Sequence, residues 1–271
     1  MKNTAIIAEY NPFHKGHKYQ MDKIKSTNSN IVVIMSASFT QRGIPAVTDK
    51  FSRAKTAILC GADLVIELQG VFSTSNAEIF AKGAVGILHQ TKIIDRLCFG
   101  SENNLEKLNH ILDKIEENKY LSENLLKKNL SLGFAYPKAV EMSYEFLTTE
   151  EKQVLKMPNN ILAMEYIKAI RELNSPIKPF SIERKHVNHN AEFAYKDFAS
   201  SSYIRKNYLD ENIKNYMPEE SYHALKSNPV VFLNDFFKII KYKILEDKIH
   251  YEKYMDYERG IENRFKKYIN S

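Results

Sequence analysis

The first hundred residues alternate two hydrophobic periods. Short β-branched runs stand at 4–8 (TAIIA), 31–35 (IVVIM), 63–68 (DLVIEL) and 96–99 (RLCF), and three of them are continuously apolar. That is the pattern of strands buried on both faces. Between them, apolar positions recur at helical spacing. Over 15–25, Tyr19, Met21 and Ile24 fall on or near one face. Over 50–59 the pattern places Phe51, Ala54, Ala57 and Ile58 inward, and over 77–89 Ile79, Phe80, Ala84 and Leu88. A strand–helix repeat of about 30 residues predicts right-handed βαβ units and a parallel sheet. Gly61 sits where a helix C-cap glycine belongs.

From residue 104 to about 174 the strand signal disappears. LEKLNHILDKIEEN, ENLLKKNLSL, YPKAVEMSYEFL and NNILAMEYIKAIREL read as four helices. A strand returns at 177–184 (IKPFSIER), and a loop over 186–198 leads into a helix that begins near Ser200. Past about Leu209 every segment reads as helical. The expected organisation is an α/β domain over 1–208, with a Rossmann-like doubly wound parallel sheet and a helical insertion over about 104–175. A helical C-terminal region follows over 209–271, with no internal repeat or low-complexity tract.

Composition narrows the class. A chain of 271 residues with 44% hydrophobic and 27% charged residues is globular rather than disordered. No window approaches 18 uninterrupted apolar residues, so no membrane span is expected. The start lacks the pattern of a signal peptide, and a cytoplasmic location is expected. Two cysteines, Cys60 and Cys98, make neither a disulfide framework nor a zinc site, and their apolar neighbours predict buried free thiols. Net charge is 39 − 33 = +6, and residues 1–60 alone hold nine Lys/Arg against three Asp/Glu. The basic excess therefore lies in the N-terminal segment, either to meet phosphate or nucleic acid or as a plain solvated face.

Chemistry concentrates at the end of the first strand, in EYNPFHKGHKYQ, where His14, Lys15, Gly16 and His17 form an H-x-G-H. The motif follows a buried strand and opens a helix, where backbone N–H groups and the dipole favour an anion. His14 and His17 stand one turn apart, so both rings can face one phosphate and stabilise charge developing at phosphorus. Gly16 removes a side chain that would keep a phosphate off the backbone, Pro12 fixes the approach and Asn11 can turn the chain. The plain alternative is a pair of surface histidines at a helix start. A second motif, Ser200-Ser201-Ser202-Tyr203-Ile204-Arg205, opens another helix: the serines supply the N-cap and hydroxyl donors, and Arg205 can reach oxyanions bidentately. Alone it would read as an ordinary serine cap with a surface arginine. Gln41 and Arg42 in the loop after the second strand, with Lys50 and Arg53 at the next helix, form a candidate substrate loop at the carboxyl edge of the sheet, or else a solvated charged face. No metal-ligand set is expected.

An H-x-G-H after strand one, with S-S-x-x-x-R late in a parallel α/β domain, resembles the nucleotidyltransferase superfamily. The match is narrower than that. EYNPFHKGH, MSASFTQRGIPA, GADLVIEL, NAEIFAKGAV, CFGSEN, MPNNILAMEYIKAI and IKPFSIERK, in this order, closely resemble the bacterial tRNA(Met) cytidine acetate ligases, and the resemblance covers 1–267. It implies a nucleotidyltransferase-type fold and a ligase. That ligase activates acetate with ATP to acetyl-adenylate, with Mg²⁺ bridging phosphate oxygens. It then transfers the acetyl group to N4 of the wobble cytidine of elongator tRNA(Met), forming N4-acetylcytidine. His14, His17 and Arg205 would be catalytic. The ATP contacts would be Ile7, Ala8, Glu9, Tyr10, Asn11, Pro12, Phe13, His14, Lys15, Gly16, His17, Lys18, Tyr19 and Gln20, then Gly100, Asn159 or Asn160 (Asn160 favoured), Arg184, Ser200, Ser201, Ser202 and Arg205. Two departures stand out. Gln69 replaces a usual proline, and members of the family continue past the length of this chain with a basic helical segment, so 209–271 is expected to be part of a tRNA-binding domain. Two further readings are an adenylyltransferase acting on a small phosphorylated metabolite and a non-catalytic nucleotide- or RNA-binding module. Intact His14, His17 and Arg205 argue against the module.

Overall fold

The computed structural model describes residues 1–183, 198–246, 249–254 and 257–269. Five strands form one parallel sheet: β1 Lys2–Ala8, β2 Ser29–Ser36, β3 Leu64–Leu68, β4 Arg96–Ser101 and β5 Lys178–Glu183, in the order β3-β2-β1-β4-β5. β1 pairs with β2 over its whole length, from Lys2↔Ser29 to Ala8↔Met35, and with β4 through Ile6↔Cys98. The chain winds outward from β1 to one edge and returns to the other side at β4. The β1/β4 junction is thus the switch point, and the crevice opens at the carboxyl ends of these two strands.

Both faces of the sheet are covered, as the apolar runs require. Ala5, Val32, Ile34 and Leu97 point into one core, shared with α4 (Ala77–Thr91), α5 (Leu105–Glu117) and α9 (Pro158–Glu172). Ile6, Ile31, Val33 and Cys98 point into the other, shared with α1 (Lys15–Lys25) and α2 (Lys50–Leu59). Each fully buried aliphatic side chain contributes about 2 kcal/mol. α3 (Gly70–Ser73) is a single turn, and α6 (Lys119–Ser131), α7 (Tyr136–Ser143) and α8 (Thr149–Val154) complete the insertion.

Three local expectations are corrected. In α2 Phe51 is 75% exposed and Ile58 44%, whereas Arg53 is only 3% exposed. The helix turns a charged residue inward because its guanidinium meets carbonyls at the ends of two strands. β3 carries an exposed Leu64 and Glu67, because it is an edge strand. The insertion holds a fifth helix, α8, set by a capping box in which Thr148 Oγ1 accepts from Glu151 N and Glu151 accepts from Thr148 N. Cys60 and Cys98 are buried free thiols, and burial pushes each up to about 12. Gly61 has φ +119°, as its place after α2 requires.

The chain divides into two compact units, Met1–Pro229 and Val230–Ser271. The first includes α10 (Ser201–Lys206) and α11 (Glu219–Ser227), and α11 packs on α2. In the second, α12 (Phe237–Leu245) packs against α13 (Ile261–Ile269). Among the described residues no helix is long and apolar enough to cross a membrane.

Candidate active site

The H-x-G-H builds its own helix start. His14 is extended (φ −140°, ψ 173°) and is the N-cap of α1. Its Nδ1 accepts the Gly16 N–H at 3.0 Å, and the Nδ1 of His17 accepts the His14 N–H at 3.2 Å. This is a capping box made of two imidazoles, whose rings stack with centroids 3.8 Å apart and planes at 22°. An imidazole that accepts at Nδ1 carries its proton at Nε2, so the box sets both rings as Nε2–H donors. Gly16 makes room for the cap: a Cβ there would lie 2.8 Å from His14 Cε1. Tyr10 and Phe13, both buried, press on His17 with ring centroids 4.9 and 5.4 Å away.

The loop before this cap is held by its backbone. The carbonyls of Asn11, Pro12 and Phe13 accept from Arg205 Nη1, Ser201 Oγ (3.2 Å) and Ser221 Oγ (2.7 Å) respectively. Arg205 Nη2 donates to Ser202 Oγ at 3.1 Å, and Ser200 caps α10. Asn11 Oδ1 accepts Val47 N–H at 2.7 Å, and Glu9 Oε1 accepts Gln41 N–H at 2.9 Å. Arg53 ties the strand ends from below. Its donors reach the carbonyls of Glu9 (2.6 Å), Ser36 (3.1 Å), Thr48 (3.2 Å) and Ala37. Burial lowers Arg53 to about 10 and also lowers Arg205. Desolvation raises Glu9 above its ordinary value, opposed by the Gln41 N–H and by Arg205, Arg42 and Arg53.

These elements surround a cavity of about 670 Å³. Of the residues expected to contact ATP, Ile7, Ala8, Glu9, Tyr10, Asn11, His14, Gly16, His17, Tyr19, Gln20, Gly100, Asn159, Ser200, Ser201, Ser202 and Arg205 line it, and so do Gln41 and Arg42 of the substrate loop. Pro12, Phe13, Lys15, Lys18, Asn160 and Lys50 are not among the lining residues. Lys18 pairs with Asp22, and Lys50 with Glu67 at 2.6 Å. Asn159 lines the wall, while Asn160 is 0% exposed behind it. Arg184 lies outside the described residues. The wall that sequence reasoning missed is largely apolar, with Phe80, Phe99, Ile161, Leu162 and Tyr166 among its members. In sequence these read as core, and nothing in their spacing marks a cavity. Ser221 was also missed, since a lone serine in a helix carries no signal.

A switch-point cavity over an H-x-G-H helix start defines a nucleotidyltransferase of the H-x-G-H type. The family model described as HIGH Nucleotidyl Transferase matches residues 1–271. A tRNA(Met) cytidine acetate ligase of Clostridium novyi is 40% identical over 97% of this chain and 70% of its own length, and one of Caldicellulosiruptor bescii is 40% identical over 99% and 69%. The crystal structure of Thermotoga maritima TmcAL in its apo form superposes with a TM-score of 0.91 at 30% identity, covering all of this chain and 68% of that one. A form bound with alpha-thio ATP gives 0.82 at 31% identity, over 98% of this chain and 66% of that one. The chain belongs to the tRNA(Met) cytidine acetate ligase family, and it spans about 70% of the length of these relatives.

Proposed function

We propose that this chain activates acetate with ATP and acetylates N4 of the wobble cytidine in elongator tRNA(Met). An acetate oxygen attacks the α-phosphorus, the bond to the β-phosphate bridge breaks, and acetyl-adenylate and pyrophosphate form. The cytidine amine then attacks the acetyl carbonyl. AMP leaves with the electron pair of the broken C–O bond, and the amine gives up a proton. The observation that carries this reading is the contact between two motifs about 190 residues apart. Ser201 and Arg205, which line the cavity, bond the carbonyls of Pro12 and Asn11, directly before the H-x-G-H.

The roles follow from the donors. His14 and His17 offer Nε2–H groups to charge developing on the α-phosphate, a type of contact worth about 3 kcal/mol in the transition state. Arg205, with Ser200, Ser201 and Ser202, holds the leaving pyrophosphate. Gln41 and Arg42 face the same space and receive acetate. Lys50, bound to Glu67, is left out of that role. A cavity of this volume falls in the usual range for a cofactor-sized ligand. Mg²⁺ would neutralise charge on the nucleotide phosphates; among the described residues no group of three His, Cys, Asp or Glu could hold a metal by itself. tRNA is proposed to meet the basic first sixty residues and residues 209–271, in the cytoplasm, where tRNA is used. Transfer of labelled acetate to elongator tRNA(Met), dependent on ATP and absent from a transcript with uridine at the wobble position, tests the reading. Equal labelling of both RNAs contradicts it.

A further inference from the structure

The N-terminus of α9 forms one wall of the cavity, yet the side chain of its own cap residue accepts none of the first backbone N–H groups. Met157 makes no side-chain cap bond, and the next residue, Pro158, has no N–H. Glu102, 57 residues away in the loop after β4, stands in for the missing cap. One carboxylate oxygen accepts the Asn160 N–H at 2.8 Å, and the other accepts the Asn159 N–H at 3.3 Å and the Asn159 side-chain amide at 2.6 Å. The bond is returned. Buried Asn160 accepts the N–H groups of Glu102 (3.0 Å) and Asn103 (3.2 Å), and its amide donates to Asn103 Oδ1 (2.9 Å) and to the Val154 carbonyl (3.2 Å). The loop that follows Gly100 and the start of α9 therefore fix each other.

Two consequences follow. The Asn159 side chain is aimed by a carboxylate rather than left to its rotamers. The Glu102 carboxylate also opposes the positive end of a fifteen-residue helix, which weakens the attraction of this end of the cavity for phosphate. Arg42 and Arg205 supply cationic groups elsewhere in the wall.

We propose that Glu102 is a positioning residue. It caps α9, holds Asn159 at the cavity, and makes that wall the place for the uncharged nucleoside of ATP rather than for its phosphates. This rests on the proposed ATP-dependent function. If the wild-type chain binds neither ATP nor adenosine in calorimetry, that reading fails and Glu102 is not at issue.

Given binding by the wild type, the test compares Glu102→Gln, Asn159→Ala and the double variant, each with its thermal midpoint recorded. Glu102→Gln is expected to weaken ATP and adenosine alike, by about tenfold, the effect of one well-placed hydrogen bond. In the Asn159→Ala background the same change should cost less than threefold, because its target is gone. A purely structural Glu102 would lower the midpoint and leave the affinity of the folded protein unchanged, and that result overturns the proposal. So does a loss confined to ATP with adenosine spared, or a loss of equal size with and without Asn159. Should Glu102→Gln not fold, Glu102→Asp serves. Its shorter carboxylate should restore the midpoint and weaken both ligands, and unchanged affinity for both again overturns the proposal.

Discussion

The His17 ring accepts the backbone N–H of His14 at 3.2 Å, so the backbone of the first histidine of the motif orients the ring of the second. The His14 ring in turn accepts from Gly16. The two imidazoles are therefore one unit, each ring set by a backbone amide of the turn they share. A substitution at either residue removes one donor and the ring stacked on the other, while the backbone amide that sets the remaining ring stays in place.

His17→Ala removes its own donor and the ring stacked on His14. Loss of one donor to a developing oxyanion corresponds to a 10²–10³ fall in rate, or about 3 kcal/mol. The adenylation rate should fall by about that much, with ATP affinity changing less, in single-turnover kinetics on folded protein. A near wild-type rate contradicts the role.

Arg205→Ala should weaken ATP more than AMP, since AMP lacks the pyrophosphate end that Arg205 is proposed to hold. Arg205 also bonds the Asn11 carbonyl, so some loss for AMP is expected too. Calorimetry with both nucleotides decides. Equal losses would assign the arginine to loop support alone.

Arg53→Met should destabilise the fold without touching the cavity. Four carbonyls, those of Glu9, Ser36, Ala37 and Thr48, lose their donor in a buried place. The expected cost is about 3 kcal/mol, a drop of roughly 9 °C in thermal midpoint for a unit of this size. A shift of under about 2 °C would mean that water replaces the guanidinium.

Glu9 makes stability depend on pH. Burial raises its folded pKa above the ordinary 4.5, so the folded state binds its proton more tightly than the unfolded chain does. That contribution is full below about 4.5 and is lost as pH rises through the raised value. Glu9→Gln removes the charge. The thermal midpoint of the variant relative to wild type should therefore climb as pH rises from 4.5 towards neutrality. A constant difference across that window contradicts the assignment.

The sheet and the two helix starts that line the cavity were legible because each rests on local signals: continuous apolar runs, and histidines and serines placed at helix starts. The inward face of α2 was not. A charged residue reads as surface unless the carbonyls that receive it are known, and those of Arg53 come from β1, β2 and the loop before α2. Which of Asn159 and Asn160 lines the cavity was equally closed to sequence. Adjacent residues at a helix start differ only in the direction of their side chains; the Asn159 amide meets the carboxylate of Glu102, 57 residues away, and the Asn160 side chain meets Asn103 and Val154. Ser221 escaped notice for the same reason, as its partner is the carbonyl of Phe13.

Exchange of labelled pyrophosphate into ATP reads formation of the acyl-adenylate without tRNA. If the chain makes acetyl-adenylate, exchange requires acetate, is negligible with no acid present, and falls with His17→Ala. Exchange that proceeds without acetate, or that requires a phosphorylated metabolite instead, would contradict that activity.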